Sequence, residues 1–324
     1  MSTEWVEIGG WRGLRLAQGR VSLVIAPEIG GRVISLCLDG VEVMFTHEEV
    51  RGKVIDPRKF DNVRQAKADL GWLHYGGYKT WLAPQRHWTE GLPFLDLDSG
   101  SYAVDRRESP DGEAVRLTSP VCRETGMQLT REISLLPTGG VRVKQGMVNL
   151  SDKPVNWGLW DVTQVAGPGL AVLPVADSSK FERGVLAYAN EGRSPENMDQ
   201  FVEPGPGYVI VRCNQTESFK YGTDSRAGWI LGLLDRGQDR WLAYLKTFPC
   251  LPGAPYPHQA DVEVYDSDTL PYFELEGHSP MCELAPGESV EFSGTWVLDW
   301  IAKKSDPVAW IGWVTSAQAK LDGS

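Results

Sequence analysis

The sequence predicts an all-β chain, a β-supersandwich of large antiparallel sheets with few short helices, and three observations carry that expectation. Runs of alternating apolar and polar residues recur along the chain, the two-residue period of a half-buried strand. Glycine (35) and proline (21) are abundant for 324 residues, so the chain turns often. Only residues 61–70 and 307–321 read as helix, which sets helix content below about a tenth.

Taken in order, residues 20–26 form a strand, Pro27-Glu28-Ile29-Gly30-Gly31 a turn and residues 32–38 the next strand. Asp39-Gly40 is a hairpin signal leading into a strand at 41–45. The same grammar recurs at 113–118, 127–136, 141–150, 207–213, 229–234, 241–247, 261–265, 272–276 and 289–298. Thr138-Gly139-Gly140 and Ala285-Pro286-Gly287-Glu288 supply turns between such runs. The polar stretch 189–206 reads as a surface loop. No fixed-period repeat, linker or composition shift divides the chain, so residues 1–324 are expected to form one domain.

Composition narrows the function. With 42% apolar and 23% charged residues, the chain has the material for a large core without disulfide or metal staples. Thirty-two basic residues against 43 acidic ones give a formal charge of −11, which disfavours nucleic acid and anionic membrane as partners. The five cysteines at 37, 122, 213, 250 and 282 are odd in number and lack any C-x-x-C pair, so reduced thiols are expected rather than a disulfide framework or zinc ribbon. No apolar leader opens the sequence and no apolar stretch approaches 18 residues, which points to the cytoplasm.

The phosphate loop, the G-x-G-x-x-G turn, the G-x-S-x-G elbow and H-E-x-x-H are all absent. No cofactor is called for, and no ligand spacing announces a metal, although His74, His87, His258 and His278 are available. Acid–base chemistry on a polar substrate remains, and three segments concentrate residues suited to it.

Residues 72–88 hold three Trp, two His, two Tyr and a Lys. Rings beside hydrogen-bonding groups suit sugars, whose C–H faces stack while hydroxyls bond; core packing would use the same rings. Trp81, Trp88 and Trp160 are the candidate stacking rings, and Arg32, Lys79, His74 and Gln164 the polar contacts. In residues 155–165, a strand would put Trp157, Leu159, Asp161 and Thr163 on one face and Trp160, Val162 and Gln164 on the other. Both faces mix polar and apolar residues, as on a pocket floor or around a buried, hydrogen-bonded Asp161. In residues 272–280, Glu274, Glu276 and His278 share one strand face about 6.6 Å apart. Two such carboxylates raise one pKa of the pair and make a competent acid or base; a solvated sheet edge alternates in the same way.

These residues resemble the galactose mutarotase-like (aldose 1-epimerase) superfamily over nearly the whole chain. Residues 27–36 are similar to its N-terminal strand pair, Leu73-His74-Tyr75-Gly76-Gly77 to its Leu-His-Gly-Gly motif, and residues 149–164 to its central strand. Residues 273–276 followed by Leu284-Ala285-Pro286-Gly287-Glu288-Ser289 resemble the strand and turn that carry the catalytic Glu. The resemblance implies a concave face binding a small-molecule carbohydrate. Glu276 would be the general base removing the anomeric hydroxyl proton, with Gly277 leaving room for substrate. His74 falls near the family's first His. Trp160 stands where the second, proton-donating His falls, which leaves Lys79, His278 or His74 to protonate the ring oxygen. Lyase chemistry on a uronate, with Arg32 and Lys79 neutralising the carboxylate, and non-catalytic sugar binding are the alternatives on the same fold. The implied site is therefore Glu276, His74 and Lys79 as catalytic groups, with Arg32, Trp81, Trp160, Asp161, Gln164, Glu274 and His278 binding substrate.

Overall fold

In the computed structural model the alternating runs become two large antiparallel sheets, with 49% of the chain in strand and 15% in helix. The structure describes residues 2–110, 112–188 and 198–322. Helix exceeds the expected tenth because short helical turns punctuate the loops and the helix Pro307–Asp322 runs for 16 residues.

The first sheet has twelve strands. Along it lie Ser2–Ile8, Trp11–Gln18, Val21–Ala26, Arg32–Leu38, Gly77–Ala83, Val155–Ala166, Tyr272–His278, Val262–Asp266, Phe219–Thr223 and Leu186–Ala187. The second has ten, with Trp229–Asp235, Arg240–Thr247, Ser289–Ala302, Val141–Asn149 and Met127–Leu135 at its centre. Their inner faces enclose the core, where Leu16, Leu23, Val33, Val165, Phe273 and Leu275 of the first sheet meet Val143, Leu242, Tyr244 and Trp296 of the second. The terminal helix covers the second sheet's outer face with Trp310, Val314 and Ala317.

Two strands depart from their expected ends for local reasons. The strand expected at 41–45 shortens to Val41–Glu42. The Glu42 carboxylate takes the backbone N–H groups of Leu36, Val43 and Met44, so the side chain replaces part of the ladder. The strand expected at 272–276 continues to His278. Of the loop expected at 189–206, residues 189–197 lie outside the described residues; the remainder forms the helical turn Met198–Phe201 and the edge strand Val202–Gly205.

Gly77–Ala83 and Tyr272–His278 are buried at every residue, on both faces. Glu274 and Glu276 therefore stand mid-sheet, not on a solvated edge. Entry to Gly77–Ala83 depends on two glycines: Gly76 and Gly77 have φ of +94° and +70°, and a Cβ would fall 2.1 Å from the Phe45 carbonyl oxygen and 2.3 Å from that of Val33. Only glycine accepts both constraints. Among the described residues no helix is long and apolar enough to cross a membrane.

Candidate functional site

Register sets the site. Val155–Ala166 pairs with Tyr272–His278 so that Trp160 faces His278, Val162 faces Glu276 and Gln164 faces Glu274. On its other side the same strand matches Trp160 to Trp81 and Val162 to Lys79. Glu276 is in turn opposite Glu263. Side chains alternate between faces, so this pairing gathers Lys79, Trp81, Trp160, Gln164, Glu263, Glu274, Glu276 and His278 on the outer face of the first sheet, together with Lys220.

Three carboxyls and two ammonium groups form its centre. Lys220 Nζ lies 2.6 Å from Glu263 and 2.8 Å from Glu276. The Trp160 indole N–H donates to Glu276 at 2.6 Å. Lys79 lies 3.4 Å from Glu274, and the Gln164 amide donates to the same oxygen at 2.8 Å. Burial opposes ionisation of Glu263 and Glu274, but Lys220 with the two histidines at Glu263, and Lys79 with Lys220 at Glu274, outweigh it and hold both below the usual carboxylate range. Glu276 goes the other way. Burial, unrelieved by a Lys220 it shares with Glu263, and the negative charges of Glu263 and Glu274 push it well above that range. Glu276 is thus the carboxyl of the group on which a proton is most readily held. It is 0% exposed, whereas Glu274 is 8% exposed and is the carboxylate that meets the surface.

The candidate proton donors separate on the same terms. Burial lowers His278 and His74 to about 4, so both imidazoles are neutral at pH 7. Lys79 falls to about 8, again mainly by burial, with Glu274 opposing. It is charged at neutrality yet gives up its proton readily. Arg32 is buried and committed: its guanidinium pairs with Asp98 at 2.6 Å and donates to the Gly76 carbonyl at 3.3 Å. Asp98 also accepts from the Trp81 indole at 2.7 Å. Arg32 therefore fixes the floor of the site beneath its surface.

The expected stacking rings are packing rings. Trp81, Trp88 and Trp160 are nearly fully buried and meet one another at centroid distances of 5.1 to 5.5 Å. Trp81 and Trp160 instead present their π-faces to Lys79 (4.2 Å) and Lys220 (4.4 Å), a contact that favours the cationic form. The ring open to ligand is Trp72, 40% exposed, stacked on His74 at 5.9 Å and held edge-on by Trp81. The sequence places no His beside Trp160, but the fold brings two there, His258 at 4.7 Å and His278 at 5.5 Å.

Two expected contacts lie on the opposite face. Asp161 points between the sheets, where Lys246 pairs with it and the Gln145 amide donates to it at 2.6 Å. It is the hydrogen-bonded aspartate of the alternative reading, with 14% of its side chain still exposed. Gly277 also faces inward: a Cβ there would meet the Phe248 ring at 3.0 Å, so the glycine admits Phe248, not substrate. A small cavity of about 30 Å³ lies on this inner side, against Asp161, Lys246 and Gly277.

His258, Glu263 and His278 bring three potential metal-ligating atoms within 4.8 Å of one another. The donor set does not fit a cation. The Gln85 backbone N–H donates to His258 Nε2 at 3.2 Å, which assigns the imidazole proton to Nδ1, the atom facing Glu263 at 3.1 Å. The Lys220 ammonium already occupies the other side of that carboxylate. The two imidazoles flank the Glu263 carboxylate, whose ion pair with Lys220 holds that ammonium in place.

Glu263, Lys220 and Asp98 are absent from the sequence-derived site. Glu263 had a signal, since it alternates with Val262 and Val264 as Glu274 and Glu276 alternate with Phe273 and Leu275. Lys220 and Asp98 had none, because their ion-pair partners are 43 or more residues away in sequence.

The profile of the DUF4380 family, a domain of unknown function, matches residues 99–299, which include Glu263, Glu274, Glu276 and Lys220 but not Lys79. No protein of curated function matches the sequence. Among solved structures, the chain is similar to the Slr1438 protein of Synechocystis sp. PCC 6803, with 14% identity over 91% of this chain and 98% of that one and a TM-score of 0.59. It is similar to a galactose mutarotase-like protein of Clostridium acetobutylicum, with 12% identity, 93% and 98% coverage and a TM-score of 0.55. It also resembles galactose 1-epimerase of Lactobacillus acidophilus NCFM, with 11% identity, 92% and 99% coverage and a TM-score of 0.52. The fold is galactose mutarotase-like, as the sequence resemblance implies.

Proposed function

The chain belongs to the DUF4380 family, and we propose that it is a carbohydrate-active protein of the aldose 1-epimerase-like type that acts on an uncharged sugar. The Glu274–Glu276 pair serves as general base and Lys79 as proton donor. The observation that carries this reading is the Lys79–Glu274 pair, 3.4 Å apart at the surface of the buried cluster, one group ionised to accept a proton and the other ready to release one.

In this mechanism Glu274 takes the anomeric hydroxyl proton while Lys79 gives its proton to the ring oxygen. The bond from the anomeric carbon to the ring oxygen breaks as the carbonyl forms. Rotation about the neighbouring C–C bond and reversal of both transfers closes the other anomer. Glu276, on the same strand face as Glu274, shares the titration, so the apparent pKa belongs to the pair. The base expected of Glu276 alone thus becomes a two-carboxyl unit whose outer member touches the ligand.

Charge favours an uncharged sugar over a uronate. Arg32, Lys79 and Lys220 are matched by Asp98, Glu263 and Glu274, and Glu276 adds a further carboxyl, so no net positive charge awaits a substrate carboxylate. Arg32, which a lyase would need free, is held by Asp98. Titratable groups within reach of the surface favour an enzyme over a passive binder. The five unpaired cysteines support action in the cytoplasm.

Anomer exchange of freshly dissolved aldoses, followed by polarimetry or NMR, tests the proposal. Glu274→Gln and Lys79→Met are expected to lower the rate by about 10²–10⁴-fold; Lys79→Met also leaves the nearly buried Glu274 without its cation and lowers Tm, so its folded state is checked by circular dichroism. The alkaline limb near pH 8 set by Lys79 should vanish in Lys79→Met. No acceleration of any common aldose by the wild type rejects the activity.

A further inference from the structure

Beside the acid–base cluster, on the same outer face, lies a cleft of about 860 Å³ whose walls include Trp11, Phe45, Thr46, His47, Arg51 and Pro271. A line of rings joins the two. His74, whose pKa senses the charges of Lys79 and Glu274, lies against Tyr272 at 6.3 Å; Tyr272 stacks on Phe45 at 5.0 Å; Phe45 stacks on His47 at 6.2 Å. At the other end, His74 carries the exposed Trp72.

We propose that this cleft is a second sugar subsite, so that the ligand is an uncharged oligosaccharide. Its reducing unit lies over Glu274 and Lys79, and its next unit sits in the cleft along Phe45. The inference rests on the carbohydrate reading of the first site and adds the size of the ligand to it.

Three features support this occupant. The volume is in the range of pockets that enclose small organic ligands, while the cluster itself exposes little more than the edges of Glu274 and Lys79. The wall combines the edges of nearly buried rings, Phe45 at 6% exposed, with hydroxyl-bonding groups, among them His47 Nδ1, which is buried without a hydrogen-bond partner, and the carboxylates of Glu48 and Glu49. Those carboxylates accept from hydroxyls and repel anions, which suits a neutral sugar and disfavours a phosphate or uronate. The strand end at Ala166 and Gly167 lines the cleft as well, and Gln164 on the same strand holds Glu274, so one rigid element spans both subsites.

Titration calorimetry with D-glucose and D-galactose against maltose, cellobiose and lactose tests the inference. The expected result is at least one disaccharide binding about tenfold tighter than either monosaccharide, an advantage of about 1.4 kcal/mol. That ratio should fall toward one in His47→Ala and in the ring-removing Phe45→Leu, each checked for an unchanged circular-dichroism spectrum. Monosaccharide binding with no disaccharide advantage overturns the second subsite and leaves the first reading standing. So does an advantage that both variants retain. Binding of none of the five sugars rejects both.

Discussion

Asp161 and Val162 are neighbours on one strand, yet the faces they belong to carry ion networks of opposite character. On the inner face the network is closed. Lys246 pairs with one Asp161 oxygen and donates to the Leu275 carbonyl at 2.9 Å, Gln145 donates to the other oxygen, and the Thr80 hydroxyl donates to Gln145 at 2.7 Å. On the outer face, around Val162, polar atoms are buried without partners: Glu276 Oε1, Gln164 Oε1 and both ring nitrogens of His278. His278 Nε2 lies 3.2 Å from Glu263 but is not aligned for a hydrogen bond. Buried polar groups are normally paired, so a complete network reads as structure and an incomplete one, with perturbed pKa values, as a place for a ligand.

The largest effect that sharpens this contrast comes from breaking the closed network. Lys246→Met leaves the Asp161 carboxylate without its cation and is expected to cost about 3–5 kcal/mol of stability, read by chemical denaturation. Glu276→Gln is the matched change on the outer face. Burial pushes Glu276 toward its protonated form, whose shape and neutrality the amide reproduces, so denaturation should move by less than about 1 kcal/mol. A large loss in Glu276→Gln would mean that the carboxyl is ionised, and the assignment of its proton would fail.

That pairing also shows what the sequence could and could not reveal. Strand positions were legible because alternation is local, and the Glu274, Glu276 and His278 face followed from it directly. The choice of face was not. Asp161 and Trp160 alternate in a strand buried on both sides, so polarity alone could not say which neighbour faced the cluster. Nor could the exposed ring be told from the buried ones, because Trp72, Trp81 and Trp88 lie within 17 residues and only the tertiary packing leaves Trp72 open. The opposite shifts of Glu274 and Glu276 required Lys220 and Glu263, brought in from distant strands.

A second, smaller effect appears on acidification. His278 titrates near 6.5 in an unfolded chain and at about 4 when buried. Between these values the unfolded chain binds the proton and the folded one does not. Stability is therefore full above pH 6.5 and is lost as pH falls toward 4, by of order 1 kcal/mol per pH unit. Glu263 and Glu274 titrate lower, and Asp266, raised to about 6 by burial, gains stability as pH falls through the same window, so a loss from pH 6.5 to 5 reports the imidazoles. His278→Gln should flatten the dependence of Tm on pH in that window. An equally steep curve in the variant would assign the loss to groups outside the cluster.

The smallest effect separates the two faces at a single residue. Gly277 follows Glu276, and a methyl group there would approach the Phe248 ring to 3.0–3.3 Å on the inner side. Gly277→Ala is therefore expected to cost about 1 kcal/mol through overpacking against a ring that has some freedom to shift. Sugar affinity should stay as in the wild type, because the added atom points away from Glu274 and Lys79. Tm and sugar titration on the same preparation decide the matter. A variant with wild-type Tm that no longer binds sugar would show that Gly277 faces the ligand, as the sequence alone led one to expect, and would reverse the assignment of the inner and outer faces at this strand.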